Sequence, residues 1–265
     1  KAAKVHNGID SGKEIALAAV GGYGRGELSP GSDLDILFLH SGRVDSELLK
    51  SFVNDVLYPL WDKKSVDHSV RTRSETRDAA NSDLRVATGL LDIRLICGNS
   101  DLVANVKSDS LDFWRKNAKD NLVSLRKSLQ ERHARAGELA YLLEPDLKEA
   151  RGGLRDIQAL RAISLTGAVA VPLEKVSWAE ATLNNVRESL HIASGRGKDR
   201  LLFQEQDKVA TLLKYSDADA MMSEVARAAR SVDFMLTYTW HAVEHKSSDG
   251  ISRILKRERV ATVAK

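Results

Sequence analysis

The sequence predicts an α+β protein: a small domain of strands and helices, followed by an all-α helical bundle. Two observations carry this. Strand-like runs are confined to roughly the first hundred residues. After about Asn99 glycine and proline thin out, and long stretches rich in Leu, Ala, Arg, Glu and Lys take over. The expected division is a first domain over 1–110 and a helical domain over 111–265.

In the first half, EIALAAV (14–20) and LDILFLH (34–40) are apolar runs of strand length bounded by Gly, Pro and Ser. SVDHSVRT (65–72) sets Val66, His68 and Val70 against Asp67, Ser69 and Arg71, the alternation of a half-buried strand. LLDIRLIC (90–97) reads as a fourth strand. Between them, 45–62 places Leu48, Leu49, Phe52, Val53, Val56 and Leu60 at helical spacing, with Asp45 or Ser46 as cap. SETRDAA (74–80) reads as a short helix capped by Ser74.

The second half reads as four helices. The first is one long helix over 111–137, and the second spans 152–167 with glycine closing each end. The others span 177–194 and 216–245. ASGRGKDR (193–200) carries Arg196 and Lys198 among glycines. It lacks the preceding strand and the Lys-Ser/Thr ending of a P-loop, so it reads as a mobile linker between helices.

Composition excludes several classes. An apolar fraction of 43% and a net charge of +3 describe an ordinary globular chain, with nothing that demands nucleic acid or a membrane surface. The single cysteine, Cys97, excludes a disulfide framework and a cysteine-based zinc site, and suits a reducing, cytoplasmic setting. No apolar run approaches the roughly 18–20 residues of a membrane span. The chain opens on Lys1 without a signal-peptide pattern, as an excised segment of something longer would.

The chemistry concentrates in AVGGYGRGELSPGSDLDILFLH (19–40), where a glycine-rich turn sits between two strands and Asp33 and Asp35 open the second. Residues two apart in a strand share a face, so the two carboxylates stand side by side, roughly 5–7 Å apart. Two such charges repel by roughly 3 kcal/mol at an effective dielectric of 20. A cation or a shared proton removes that cost, and a pair of oxygen ligands suits Mg²⁺ completed by phosphate oxygens and water. Gly21 and Gly22 let a polyphosphate approach the main chain and meet its N–H groups. Carboxylates facing a phosphate-cradling turn are the minimum equipment for nucleotidyl transfer. Asp67, on the neighbouring alternating strand, is either a third metal ligand or an exposed surface residue. His68 points to the other face by alternation, as a packing histidine would.

GGYGRGELSPGSDLDILFL resembles the nucleotidyltransferase motif of the polymerase-β-like superfamily, and in particular the bacterial PII-protein uridylyltransferase family. HSVRT (68–72), KEARGGLRDIQAL (148–160) and DRLLFQEQDKVATLL (199–213) extend the resemblance over essentially the whole chain. It implies a small mixed-sheet nucleotidyltransferase domain ahead of the helical bundle. The implied activity is Mg²⁺-dependent transfer of UMP or AMP, from UTP or ATP, to a tyrosine of a PII nitrogen-regulatory protein. The implied metal ligands and catalytic residues are Asp33 and Asp35, with two ions accompanying the nucleotide; Asp67 joins them as third ligand and catalytic residue from the reading of its strand. Many members carry glycine where this chain has Asp67, and the glutamine synthetase adenylyltransferase cousins place an aspartate on this strand. The nucleotide-binding set is Gly21, Gly22, Arg25 and Ser32, with Lys148, Arg151 and Arg155 from the second half. The family's His-Asp phosphohydrolase and C-terminal ligand-sensing domains are expected to be absent, since His241 and His245 stand on a helix without a His-Asp metal pair.

Two readings stay open for the basic residues. Gly152-Gly153 open a helix whose free N–H groups and dipole favour an anion, to which Lys148, Arg151 and Arg155 would add charge for a triphosphate docked across a domain cleft. Alternatively these side chains pair with Asp146, Glu149 or Asp156. Arg25 is likewise a phosphate contact or an ion pair. Two other functions compete: a nucleic-acid-directed transferase, disfavoured by the lack of a basic patch with interleaved aromatics, and a silent nucleotide-sensing or PII-docking module. A silent module has no need to keep a repelling carboxylate pair.

Overall fold

A computed structural model describes residues 5–6, 9–10, 13–62 and 64–246. The start of the first expected domain and the end of the second therefore lie outside the description. The chain divides into two compact units, residues 1–28 with 32–116, and residues 29–31 with 117–265.

The first unit begins with a two-residue antiparallel ladder, β1 (Val5–His6) against β2 (Ile9–Asp10). It is built around a four-stranded mixed sheet of β3 (Ile15–Ala19), β4 (Leu34–His40), β5 (Val66–Thr72) and β6 (Arg94–Gly98), in the order β5-β4-β3-β6. β3 runs antiparallel to both β4 and β6, while β4 and β5 are parallel. All four expected strands are present, and the sheet is mixed as the resemblance implied.

Alternation gives the sheet two faces. Ile15, Ile36 and Phe38 pack with Leu49, Val53 and Leu57 of α2 (Ser46–Trp61), which Asp45 caps by accepting from the Glu47 and Leu48 amides. The intervening Ala16, Ala18, Leu37 and Leu39 are buried on the opposite face. α3 (Arg73–Ser82), α4 (Leu84–Leu90) and α5 (Ser100–Lys116) complete the unit, with Trp114 of α5 fully buried. The glycine-rich turn is itself one helical turn, α1 (Gly21–Arg25).

Two local expectations are corrected. Thr72, not Ser74, caps α3: its hydroxyl accepts from the Glu75 amide while the Glu75 carboxylate accepts from the Thr72 amide, a capping box. Sequence spacing could not separate these because Thr72 also ends β5, and the strand hands directly to the helix. The single helix expected over 111–137 is broken at Asn117, whose backbone leaves helical values at φ −102°, ψ 25°. The break yields α5 and α6 (Ala118–Ala136), and the division between units falls there.

The second unit contains α6, α7 (Leu154–Thr166), α8 (Ser177–Ser194), α9 (Phe203–Leu212) and α10 (Ala218–Lys246). Leu154, Ile157, Leu183, Val186, Val225 and Val232 anchor its core. α7 buries residues around most of its circumference, as a central helix does. No helix among the described residues is long and apolar enough to cross a membrane.

The corrected cap is testable by urea denaturation. Thr72→Ala is expected to destabilise the chain by about 1 kcal/mol, and Ser74→Ala to leave the midpoint nearly unchanged.

Candidate active site

The sheet brings the predicted carboxylates to one place. In the parallel pairing of β4 with β5, Asp35 stands directly opposite Asp67. Registered residues of neighbouring strands share a face, with strand axes about 4.8 Å apart. That face is opposite α2, because His68, one residue on, sets its ring against Phe38 at 6.4 Å and Trp61 at 6.1 Å. His68 thus lies on the α2 face that the alternation predicted, against aromatic rings but exposed to solvent. Asp33 is exposed just ahead of β4, whose first residue Leu34 joins the ladder through the Ser65 carbonyl at 3.0 Å. Asp35 is half-buried and Asp67 exposed.

On the other flank of Asp35 lies the glycine turn. The Val20 amide donates to the Asp35 carbonyl at 3.1 Å, which places Gly21 beside the aspartate. Gly21 has φ +54°, and a Cβ there would stand 3.3 Å from Asp35 Oδ2. A side chain at this position would be strained and would crowd the carboxylate. Asp67 on β5 and Gly21 at the start of α1 therefore flank Asp35 of β4, and Ser32 and Asp33 immediately precede that strand. An all-oxygen donor set fits a hard divalent cation. Among the described residues, no three His, Cys, Asp or Glu side chains are gathered closely enough to hold a metal between them. The carboxylates share a region of the sheet without converging.

Arg25 takes the ion-paired alternative. Its Nε donates to Glu27 at 2.7 Å and a terminal nitrogen to Asp92 at 2.5 Å. Burial opposes its charge, but Asp92 and Glu27 outweigh that and hold its proton more tightly than usual. It braces α1 rather than standing available.

Of the two readings left open at Gly152-Gly153, the hydrogen bonds follow the internal one, because the amides are already used. The Gly152 amide donates to Asp156 at 2.7 Å, Gly153 to the Ala150 carbonyl, Leu154 to Leu147 and Arg155 to Lys148. The anion at this helix start is the chain's own Asp156, fully buried, which also accepts from Arg132 and meets His133 Nε2 at 2.9 Å. Burial would raise its pKa, but His133 and Arg132 prevail and hold it below the usual carboxylate range. The three basic candidates are paired as well, Lys148 with Asp199 at 3.8 Å, Arg151 with Asp233 at 2.6 Å and Arg155 with Glu149 at 3.1 Å. Of the expected partners, Glu149 pairs with Arg155 and Asp156 acts on Arg151 through its charge.

The 193–200 segment leads from α8 toward α9 as the expected helix-to-helix linker, but it is anchored rather than loose. Asp199 within it accepts from Arg187 Nε at 2.6 Å and His191 Nε2 at 2.9 Å, so the segment is tied down. Sequence reading gave Arg187, His191 and Asp199 no role. The signal available was a histidine and an arginine four apart on α8, sharing one helix face ahead of an isolated aspartate.

Comparison with known proteins finds matches along most of the chain. The nucleotidyltransferase domain family matches residues 9–86, and the family described as GlnD PII-uridylyltransferase matches residues 121–168 and 170–240. A bifunctional uridylyltransferase/uridylyl-removing enzyme of Streptomyces coelicolor is 48% identical over 230 residues, covering 86% of this chain and 27% of the relative. Proteins of the same description from Mycobacterium tuberculosis and Corynebacterium glutamicum are 38% and 34% identical, covering 86% and 84% of this chain and 29% and 31% of their own lengths. This chain belongs to the PII-uridylyltransferase family. It carries that family's nucleotidyltransferase and helical regions, and spans less than a third of the length of these relatives.

Asp156 makes the acid side of stability testable. Because its folded pKa lies below the unfolded value of 3.8, its contribution is complete above that value and fades as pH falls through the folded one. Asp156→Asn is expected to cost about 3–5 kcal/mol at pH 7 in urea titrations, and to lose stability less steeply than the native chain below about pH 4.

Proposed function

We propose that this chain catalyses Mg²⁺-dependent transfer of UMP from UTP to a tyrosine hydroxyl of a PII signalling protein. The observation that carries the reading is the pairing of Asp35 with Asp67 on neighbouring strands, with Gly21, at the start of α1, set against the Asp35 carboxylate. The family membership and the names of the relatives support uridylyl transfer over adenylyl transfer.

In this reading Asp33 and Asp35 hold the metal ions and Asp67 completes the oxygen set. Bound there, the metal would stabilise charge on the α-phosphate and on departing pyrophosphate. Gly21 and Gly22 leave the main chain open to the phosphates, and Ser32 adjoins them. The tyrosine oxygen attacks the α-phosphorus as the bond to the β-phosphate oxygen breaks, giving a tyrosyl-UMP ester and pyrophosphate. The hydroxyl proton passes to a carboxylate, and Asp67 assists either as that acceptor or as a ligand. Arg25, Lys148, Arg151 and Arg155 act instead as scaffold, since each already meets a carboxylate.

The test is to incubate the chain with a PII protein, Mg²⁺ and each of the four nucleoside triphosphates, and to weigh the product. A gain of one UMP is expected. A gain of AMP would move the reading to adenylylation, and no gain with any triphosphate would sink it. Asp35→Asn is expected to lower kcat/KM by about a hundredfold or more, since several kcal/mol of charge stabilisation is lost. A near-normal rate for Asp67→Asn would return Asp67 to the surface role.

A further inference from the structure

We infer that Arg187, His191 and Asp199 form a clamp that positions Ser29–Gly31, and through them the adjoining Ser32 and Asp33, for the transfer proposed above. The catalytic consequence rests on that proposal; the clamp is a matter of geometry. After Leu28 the chain leaves the first unit, gives Ser29–Gly31 to the helical unit, and rejoins the first at Ser32, one residue before Asp33.

The helical unit grips this short passage at three points. Arg187 donates from a terminal nitrogen to the Ser29 hydroxyl at 2.9 Å and from Nε to Asp199 at 2.6 Å. The Gly31 amide donates to His191 Nδ1 at 3.3 Å, which leaves Nε2 as the protonated nitrogen, donating to Asp199 at 2.9 Å. The third grip is backbone on backbone: a Cβ on Gly197 would lie 2.1 Å from the Gly31 carbonyl oxygen, and one on Gly31 would lie 2.3 Å from Gly197 Cα. Ser29, Arg187 and His191 are all buried. Lys148 Nζ is the remaining charge near Asp199, at 3.8 Å.

A structural role alone accounts poorly for this arrangement. Burying an arginine, a histidine and a carboxylate is no more stabilising than packing apolar side chains of similar size. What the polar groups add is direction, because Arg187 and His191 each spend one bond on Asp199 and one on the passage. Gly31 is two residues from Asp33, a reach of about 7 Å. A displacement of about 1 Å at a reacting group can cost about a hundredfold in rate.

The test compares Gly197→Ala, His191→Leu and His191→Asn with the intact chain and with exposed Lys198→Ala as control. Gly197→Ala removes no polar group but wedges the passage away, and His191→Asn keeps an acceptor near the position of Nδ1. Two readouts are taken: amide hydrogen exchange over 29–35 and over α8 and α10, and kcat and KM for UTP with Mg²⁺ and a PII protein. Gly197→Ala and His191→Leu are expected to raise exchange over 29–35 while α8 and α10 stay protected, and to lower kcat by about a hundredfold with KM for UTP little changed. His191→Asn should recover most of kcat, and Lys198→Ala should match the intact chain. Unchanged exchange over 29–35 in Gly197→Ala would overturn the clamp. Unchanged kcat despite faster exchange, or a loss of kcat only with general loosening of α8 and α10, would overturn the positioning role. If the intact chain labels PII with no triphosphate, the proposed function falls and the positioning claim with it, while exchange still reports on the clamp.

Discussion

A slip of one residue in the parallel pairing of β4 and β5 would turn Asp67 to the face opposite Asp35. That register is therefore the constraint on which the site depends. It is enforced by apolar side chains: Ile36 and Phe38 must face α2, and His68 must lie against Phe38, which leaves Asp35 and Asp67 together on the other face. The core decides where the carboxylates stand. The antiparallel pairing of β3 with β4 does the same for the glycine turn, because Val20 bonded to Asp35 delivers Gly21 to the carboxylate's side.

The helical unit is organised by two buried carboxylates of a different kind. Asp156 gathers Arg132, His133 and the Gly152 amide, and Asp199 gathers Arg187 and His191. In both cases burial would disfavour the charge and the partners restore it, so each carboxyl is held below its ordinary range. Such carboxylates fix loops by consuming backbone donors, directly at Gly152 and through His191 at Gly31.

Much of this was legible in the sequence because it follows local periodicity. The four strands, the capped α2 and the change to helices near residue 100 all announce themselves through apolar spacing and punctuation. The Asp-Leu-Asp run, its neighbouring glycines and the alternation around Asp67 were enough to nominate those residues. What was illegible depends on long-range pairing. Nothing near Asp156 points to Arg132 on the preceding long helix, and nothing near Arg151 points to Asp233, far along the chain. The break at Asn117 occurs inside a helical pattern that continues on both sides, so spacing alone could not find it. The path of Ser29–Gly31 into the helical unit is likewise set by residues more than 150 positions away.

The central claim is that the sheet carboxylates form a site for a metal–triphosphate. It is tested most directly by thermal denaturation of the intact chain, Asp33→Asn and Asp35→Asn, each with and without Mg²⁺ and a non-hydrolysable UTP analogue. A ligand that binds only the folded state raises the midpoint in proportion to its occupancy. The intact chain should gain stability with metal and analogue together. The two variants should match or slightly exceed the unliganded chain, since a repulsion is relieved, and should lose that gain. Variants that gain as much as the intact chain would show that the metal and triphosphate bind elsewhere, and the account of the site would be wrong.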